Sequence, residues 1–310
     1  MSRRLESTPG VRAGVVLAPM TTYKLGGAAD WFAEVEDEQH LVDVLVAAGD
    51  DVDVLVLGRG SNLLVSDAGY RGLVIRLSGE FLQVAVEPGG VVRAGGAAPL
   101  PRVARTAAEA GRCGLEFYAG IPGTVGGAVK MNAGGHGSDT ASRLLSARVA
   151  DRDTGDRSER TAAEFGFGYR HSTLGPGEIV VSARLSTEPC ERVAAEGRIR
   201  EITRWRKEHQ PGGTFNAGSV FKNPPDDAAG RLIDEAGLKA HRRGGVAVSE
   251  MHANFLVADE HATAQDVWDL IWAVRRRVGE TTGVWLAPEI QFAGAFDKTG
   301  DELMGPEIAR

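Results

Sequence analysis

Residues Ala119 to Gly137 read AGIPGTVGGAVKMNAGGHG, seven glycines and a proline in nineteen positions. Ile121, Val125, Ala128, Val129 and Met131 keep the stretch partly apolar. Glycine lets a backbone approach a ligand closely or take positive φ without a Cβ clash. A short helix opening at Thr124 is expected to aim free N–H groups and the positive end of its dipole at whatever lies before it, a site suited to a pyrophosphate. A second loop, Gly58-Arg59-Gly60-Ser61-Asn62, follows the apolar run Val52 to Leu57 and has the same character. Two such loops on separate strands point to a dinucleotide held between them. Neither has the G-x-G-x-x-G spacing after a first strand, which counts against the usual doubly wound dinucleotide fold.

The whole chain sets wider bounds. Its 310 residues divide into two or three domains. A net charge of -7 offers no basic field to gather nucleic acid. No apolar run reaches the roughly 18 residues of a membrane span. The opening MSRRLESTPG lacks the apolar core of a secretory signal, so a cytoplasmic enzyme is expected. Cys113 and Cys190 stand in no metal-ligand spacing. No disulfide framework and no metal are expected, and both thiols read as buried or incidental.

Three regions are expected. In residues 1–78, Asp37 caps a helix carrying Leu41, Val44, Leu45 and Ala48 at helical spacing. Val52 to Leu57 reads as a fully buried strand, and Gly72 to Leu77 as a further strand. Residues 79–190 hold a hairpin, Phe81 to Val86 and Val91 to Ala94, across Pro88-Gly89-Gly90. A helix from Pro99 to Ala110 and strands near Leu144 to Ala150, Arg157 to Arg160 and Ile179 to Leu185 follow. Residues 191–310 open with a charged helix, Arg192 to His209. A helix around Leu232 and Ile233, a strand at Asn254 to Val257, a long helix from Thr263 to Val278 and a final strand, Trp285 to Phe292, complete the region. The tail after Phe296 reads as loose. Trp268 and Trp272, four apart, read as core, and Arg275 to Arg277 as solvated helix surface.

Six strings occur in an order that resembles one family: Leu57 to Asp67 (LGRGSNLLVSD), Gly120 to Gly137, Tyr169-Arg170-His171-Ser172, Gly218 to Pro224 (GSVFKNP), Arg231 to Leu238 (RLIDEAGL) and Leu286 to Glu289 (LAPE). They are similar to UDP-N-acetylenolpyruvoylglucosamine reductase, an FAD-dependent enzyme of peptidoglycan precursor synthesis. The fold the resemblance implies is α+β: a two-lobed FAD-binding domain of the vanillyl-alcohol-oxidase (PCMH) type, then a smaller α+β substrate-binding domain. No tyrosine-bearing insertion stands between Arg170 and Ser219, so the likeness is to the shorter members.

The resemblance also implies roles. Leu57, Gly58, Arg59, Gly60, Ser61, Asn62 and Leu63 form one FAD-binding loop. Gly120, Ile121, Pro122, Gly123, Thr124, Gly126, Gly127, Ala133, Gly134 and Gly135 form the other, joined by Val181. The first loop, where related oxidases link their flavin through a histidine, offers Arg, Ser and Asn instead, and His136 in the second loop reads as a surface or structural residue, so FAD is expected to be non-covalent. NADPH is the expected hydride donor and UDP-N-acetylglucosamine enolpyruvate the substrate, with no nucleic acid, no membrane and a monomeric chain. Hydride delivery to the vinylic carbon pushes charge onto the substrate carboxylate, which needs a fixed cation and an acid for the α-carbon. Arg170, with its planar fork, suits the first role, Ser219 the second, and Glu289 orients or neutralises the site. Tyr169, Lys207, Lys222, Asn223, His252 and Asn254 are expected around the substrate. Lys207 also reads as a solvated helix face among Arg204, Arg206 and Glu208. An FAD-dependent sugar or alcohol oxidase of the same fold is the alternative enzyme, and a nucleotide-binding module that lost catalysis the alternative class.

Overall fold

The computed structural model describes residues 2–298 apart from 153 and 214. The chain divides into two compact units. One takes the residues up to 14, then 31–59 and 72–208; the other takes 15–30, 60–71 and the chain from 209 on.

Most of a sheet ordered Val11–Val16, Ala28–Val35, Tyr70–Leu77, Val54–Val56 falls in the first unit. The helix Glu38–Ala48 starts where Asp37 accepts the His40 N–H, as its sequence predicts. Its Leu41, Val44, Leu45 and Ala48 are buried with Leu73, Ile75 and Leu77. Each such Leu or Val side chain contributes about 1.5–3 kcal/mol through burial. The strand expected at Val52 to Leu57 shrinks to Val54–Val56 and is not fully buried, with Val56 38% exposed. It stands at the sheet's edge, paired only with Tyr70–Leu77, so one flank meets solvent.

A second, five-stranded antiparallel sheet runs Arg157–Thr161, Leu144–Asp151, Glu178–Leu185, Val92–Gly95, Val84–Val86. The helix Leu100–Glu109 buries Leu100, Val103, Ala104 and Ala107 in its cluster. Cys113 and Cys190 correct the expectation of two incidental thiols: they form a disulfide, Cα atoms 5.8 Å apart and 77 residues apart in sequence. A two-residue antiparallel pairing, Glu188 on Cys113 and Pro189 on Arg112, brings them together. Sequence spacing carries no sign of so short a pairing.

The second unit is built on the helix Ala264–Thr282. Thr263 and Asp266 form a reciprocal capping box, Asp67 takes the N–H groups of Ala264 and Gln265, and Gly283 ends the helix at φ 76°. Trp268 and Trp272 lie in the core, as their spacing predicts. Arg275 corrects the solvated-surface reading. It is 3% exposed, donates through Nε to the Leu286 carbonyl (3.1 Å), and lies over the rings of Trp272 and Trp285. The final strand is Gln291–Ala293 rather than Trp285 to Phe292, because Pro288 has no N–H for a ladder. It pairs in parallel with Leu63–Val65. The tail expected to be loose lies, from residue 299 on, outside the described residues. No helix among the described residues is long and apolar enough to cross a membrane.

Candidate active site

The helix predicted at Thr124 is present as Val125–Met131, with Thr124 as N-cap. Its first-turn N–H groups, however, are not free. Val125 donates to the Ala98 carbonyl (3.1 Å), Gly126 to the Gly96 carbonyl (2.8 Å) and Gly127 to Thr124 Oγ1 (3.4 Å). The expectation of open donors at this helix end is therefore corrected. They lie instead in the first loop. Among the described residues, no internal acceptor takes the backbone N–H of Gly58, Arg59, Gly60, Ser61 or Asn62. Consecutive main-chain N–H groups of this kind form an anion-binding concavity.

The glycines sort by what their missing side chains allow. A Cβ on Gly58 would lie 2.9 Å from Thr124 Oγ1, so this glycine lets the first loop rest on the cap of the second. Gly60 takes φ 58° and passes close to Met20 and Thr21. Gly120 makes room for His136 and Ile202, and Gly134 for Asp139. Gly127 and Gly135 differ. Neither has positive φ, and a Cβ there meets nothing closer than Thr124 Oγ1 at 3.5 Å. Their bareness serves no packing need and leaves open surface on the second loop, which fits the close approach of a pyrophosphate. Leu57, Leu63 and Val181 are core side chains, so only their backbone could meet a cofactor. The Val181 carbonyl already accepts the Gly96 N–H. Ile121, Pro122, Gly123 and Ala133 are half-buried along the second loop.

Arg170 sits on that loop. Gly168 and His171 exchange backbone hydrogen bonds (3.1 and 3.2 Å), making Tyr169 and Arg170 the corner of a tight turn. Arg170 holds φ 53° and donates from its guanidinium to the Gly134 carbonyl at 3.1 Å. Its charged group also lies 5.2 Å from the centre of the exposed Tyr169 ring. Asn132, which sequence reasoning missed, fastens the turn. It ends the helix at φ 42°, donates to the Gly168 carbonyl and to Asp139, and accepts the Ala141 N–H. The signal was available: asparagine directly after a short apolar helix suits a left-handed cap. His136 packs edge-on against Trp205, and burial together with Arg198 and Arg206 holds its pKa below the ordinary value. Lys207 is exposed on the helix Arg192–His209 of the same unit.

Ser219 and Glu289 belong to the second unit, where the structure brings their segments side by side. Gly218, at φ 76°, admits the chain, and residues 219–222 then run between 254–255 and 287–290. Val220 donates to the Asn254 carbonyl (2.9 Å), Lys222 to Ala287 (2.9 Å), and Glu289 donates to Val220 (2.7 Å). The Asn62 side chain donates to the Glu289 carbonyl at 3.1 Å, and Gln291 donates to the Asn62 carbonyl. One hydrogen-bond chain thus joins a first-loop residue, Glu289 and the neighbour of Ser219. Ser219 is half-buried, and no described residue hydrogen-bonds its hydroxyl.

The remaining predicted contacts fall differently. Asn254 does not face a cleft: it is 3% exposed, and its amide is spent on Phe221, accepting the N–H (2.9 Å) and donating to the carbonyl (2.8 Å). Asn223 is exposed and accepts the Ala229 N–H at the start of the helix Ala229–Glu235. Lys222 is half-buried. His252 lies edge-on to Phe255, its Nδ1 accepting the Asn254 N–H, with its pKa lowered by burial.

Residues 29–158 match the family model of an FAD binding domain. A two-lobed FAD-binding domain of the vanillyl-alcohol-oxidase type, followed by a smaller α+β domain, makes the chain an FAD-dependent oxidoreductase. Residues 210–293 match the C-terminal domain of UDP-N-acetylenolpyruvoylglucosamine reductase. The chain is 46% identical over 301 residues to UDP-N-acetylenolpyruvoylglucosamine reductase 2 of Symbiobacterium thermophilum, covering 95% of this chain and 97% of the relative. It is 47% identical over 286 residues to the reductase of a Caulobacter species, covering 90% and 93%. The crystal structure of the Thermus caldophilus reductase superposes with a TM-score of 0.80 at 39% identity, over 92% of this chain and all of that one. The chain belongs to the UDP-N-acetylenolpyruvoylglucosamine reductase family.

Proposed function

We propose that this enzyme reduces UDP-N-acetylglucosamine enolpyruvate to UDP-N-acetylmuramate with NADPH, in the cytoplasm, as a step of peptidoglycan precursor synthesis. The observation that carries the reading is the hydrogen-bond chain Asn62–Glu289–Val220, which fixes the backbone of Glu289 beside the segment that holds Ser219. Bound FAD supplies hydride-transfer chemistry. The N–H groups of residues 58–62 hold its pyrophosphate, and Gly127 and Gly135 leave room for it. Arg170, steadied by the Gly134 carbonyl, binds the substrate carboxylate and offsets the charge that develops there. The Ser219 hydroxyl gives its proton to the α-carbon, and Glu289 orients the group it faces. Tyr169, Lys207, Lys222, Asn223 and His252 flank the nucleotide sugar, while Asn254 holds the Ser219 segment in place. Residues 1–78 and 79–190 act as the two flavin lobes and 191–310 as the substrate domain.

The test is an absorbance spectrum of the purified protein, taken again after NADPH and after the enolpyruvyl nucleotide. Flavin absorption, its bleaching by NADPH and its return with substrate are expected. A colourless protein, or return only with oxygen and a hydroxylated sugar, overturns the proposal. Ser219→Ala should keep the bleaching and slow the return by about 10²- to 10⁴-fold.

A further inference from the structure

Arg170 binds the substrate carboxylate in the reading above, yet it stands at the corner of a tight turn beside Tyr169, which is 56% exposed. A surface corner is a poor support for such a group, since misplacement by about 1 Å can slow a reaction about a hundredfold. The support comes from Asn132, which is only 4% exposed.

The Asn132 amide has one workable orientation. Its Nδ2 donates to the Gly168 carbonyl (3.0 Å) and to Asp139 Oδ2 (3.3 Å), and its Oδ1 accepts the Ala141 N–H (2.9 Å). Flipped, it would set its oxygen against two oxygens and its NH2 against an N–H. The Gly168 carbonyl also accepts the His171 N–H (3.2 Å), the bond that closes the turn around Arg170. At its other end, the Arg170 guanidinium reaches the Gly134 carbonyl (3.1 Å), and Gly134 faces Asp139 in a two-residue antiparallel pairing. Asp139 therefore braces both ends, its carboxylate meeting Asn132 and its backbone lying opposite Gly134. Ser172 ties the turn again, donating to the Lys130 carbonyl (2.8 Å).

Ending a helix does not by itself call for this residue. At φ 42° glycine is the commonest cap, and residues 119–137 already hold seven glycines. Glycine would leave the Gly168 carbonyl without its side-chain donor. Aspartate, also tolerated in the left-handed region, would turn an oxygen toward that carbonyl and toward Asp139. Asparagine both accepts the conformation and donates.

We propose that Asn132 is a positioning residue of the reduction: through the Gly168 carbonyl it holds the turn so that the Arg170 fork stays aimed at the substrate carboxylate. The proposal rests on the reductase reading and on the part Arg170 plays in it.

Asn132→Gly keeps the backbone conformation and removes the amide. In the flavin-loaded variant, bleaching by NADPH should stay within about twofold of the wild-type rate, while reoxidation by the enolpyruvyl nucleotide should slow about ten- to hundredfold. Loss of flavin, equal slowing of both steps, or unaltered reoxidation overturns the proposal. In an Arg170→Ala background the same change should slow reoxidation by less than about a further twofold, because no fork is left to place. A second loss as large as the first overturns the proposal. Asn132→Asp, which keeps the Ala141 bond, carries the same comparison should the glycine variant not fold. A crystal structure of the flavin-loaded variant reads the position directly. Arg170 is expected to have left the Gly134 carbonyl, and a turn that has not moved overturns the proposal. That structure still decides if the wild-type enzyme does not reduce the enolpyruvyl nucleotide, a result that sinks the reductase reading alone.

Discussion

Replacing Asn254 by alanine probes how the Ser219 segment is held. Its amide meets the N–H of Phe221 at 2.9 Å and the carbonyl of the same residue at 2.8 Å, and Phe221 is 1% exposed. Truncation strands both backbone groups away from water. Each buried unsatisfied group costs about 1–3 kcal/mol. Water entering the vacated amide space recovers part of that, so a net loss of about 2–4 kcal/mol is expected. With a urea slope of about 1–3 kcal/mol/M, the midpoint should fall by about 1 M or more. Tryptophan fluorescence reports the change well, because Trp268, Trp272 and Trp285 lie in the same unit as Asn254. Asn254→Asp sharpens the test. The carboxylate still accepts the Phe221 N–H but turns an oxygen toward the Phe221 carbonyl, so its folded pKa should rise above the unfolded value of about 3.9. The folded state then binds more protons, and this variant should gain stability as pH falls through that window. A loss below about 0.5 kcal/mol for Asn254→Ala, or an aspartate variant with the pH profile of the wild type, would refute the clamp.

Serine at Cys113 or Cys190, or reduction of the pair, should lower stability by about 2–4 kcal/mol, the scale for a long closed loop; a thermal melt with and without reductant checks it. Gly127→Val should leave the melting temperature of flavin-free protein within a few degrees and sharply lower FAD retention, because its Cβ meets nothing closer than Thr124 Oγ1 at 3.5 Å; unaltered flavin content would remove Gly127 from the cofactor surface. His252 has a folded pKa below its unfolded value of about 6.5, so the unfolded state binds more protons and stability drops as pH falls below about 6.5. His252→Phe should flatten that part of the urea-midpoint profile, and an identical slope in variant and wild type would exclude His252 as its source.

Features whose cause is local were legible in the sequence. Asp37 and Thr263 cap helices through their own side chains, and the apolar spacing at Leu41, Val44, Leu45 and at Trp268, Trp272 follows from a single helix period. What stayed hidden depends on partners far along the chain. Cys113 meets Cys190 only because two residues on each side pair. Arg275 reads as one of three surface charges until Trp272, Trp285 and the Leu286 carbonyl are seen around it. The asparagines illustrate the same limit. Asn254 looked like a ligand contact because it is polar and stands next to a strand, yet it spends its amide on the backbone of Phe221, and Asn62 of the first loop also reaches backbone, donating to the Glu289 carbonyl.

The helix start at Thr124 shows why a site can be located correctly for an incomplete reason. Glycine density marked the right loop, and the expected anion-binding device was the helix end. In the folded chain the carbonyls of Ala98 and Gly96 already occupy that end, since the N-cap must also anchor the loop to its neighbouring segment. A group satisfied in this way keeps its share of the dipole but no longer offers a direct hydrogen bond. The direct donors therefore have to come from a segment that the core does not need, and residues 58–62 are such a segment. Thr124 links the two arrangements: its hydroxyl caps the helix on one side and leaves room only for glycine at position 58 on the other. Gly58→Ala should thus disturb both loops at once, whereas Gly135→Ala, with nothing near its Cβ, should disturb only what binds there.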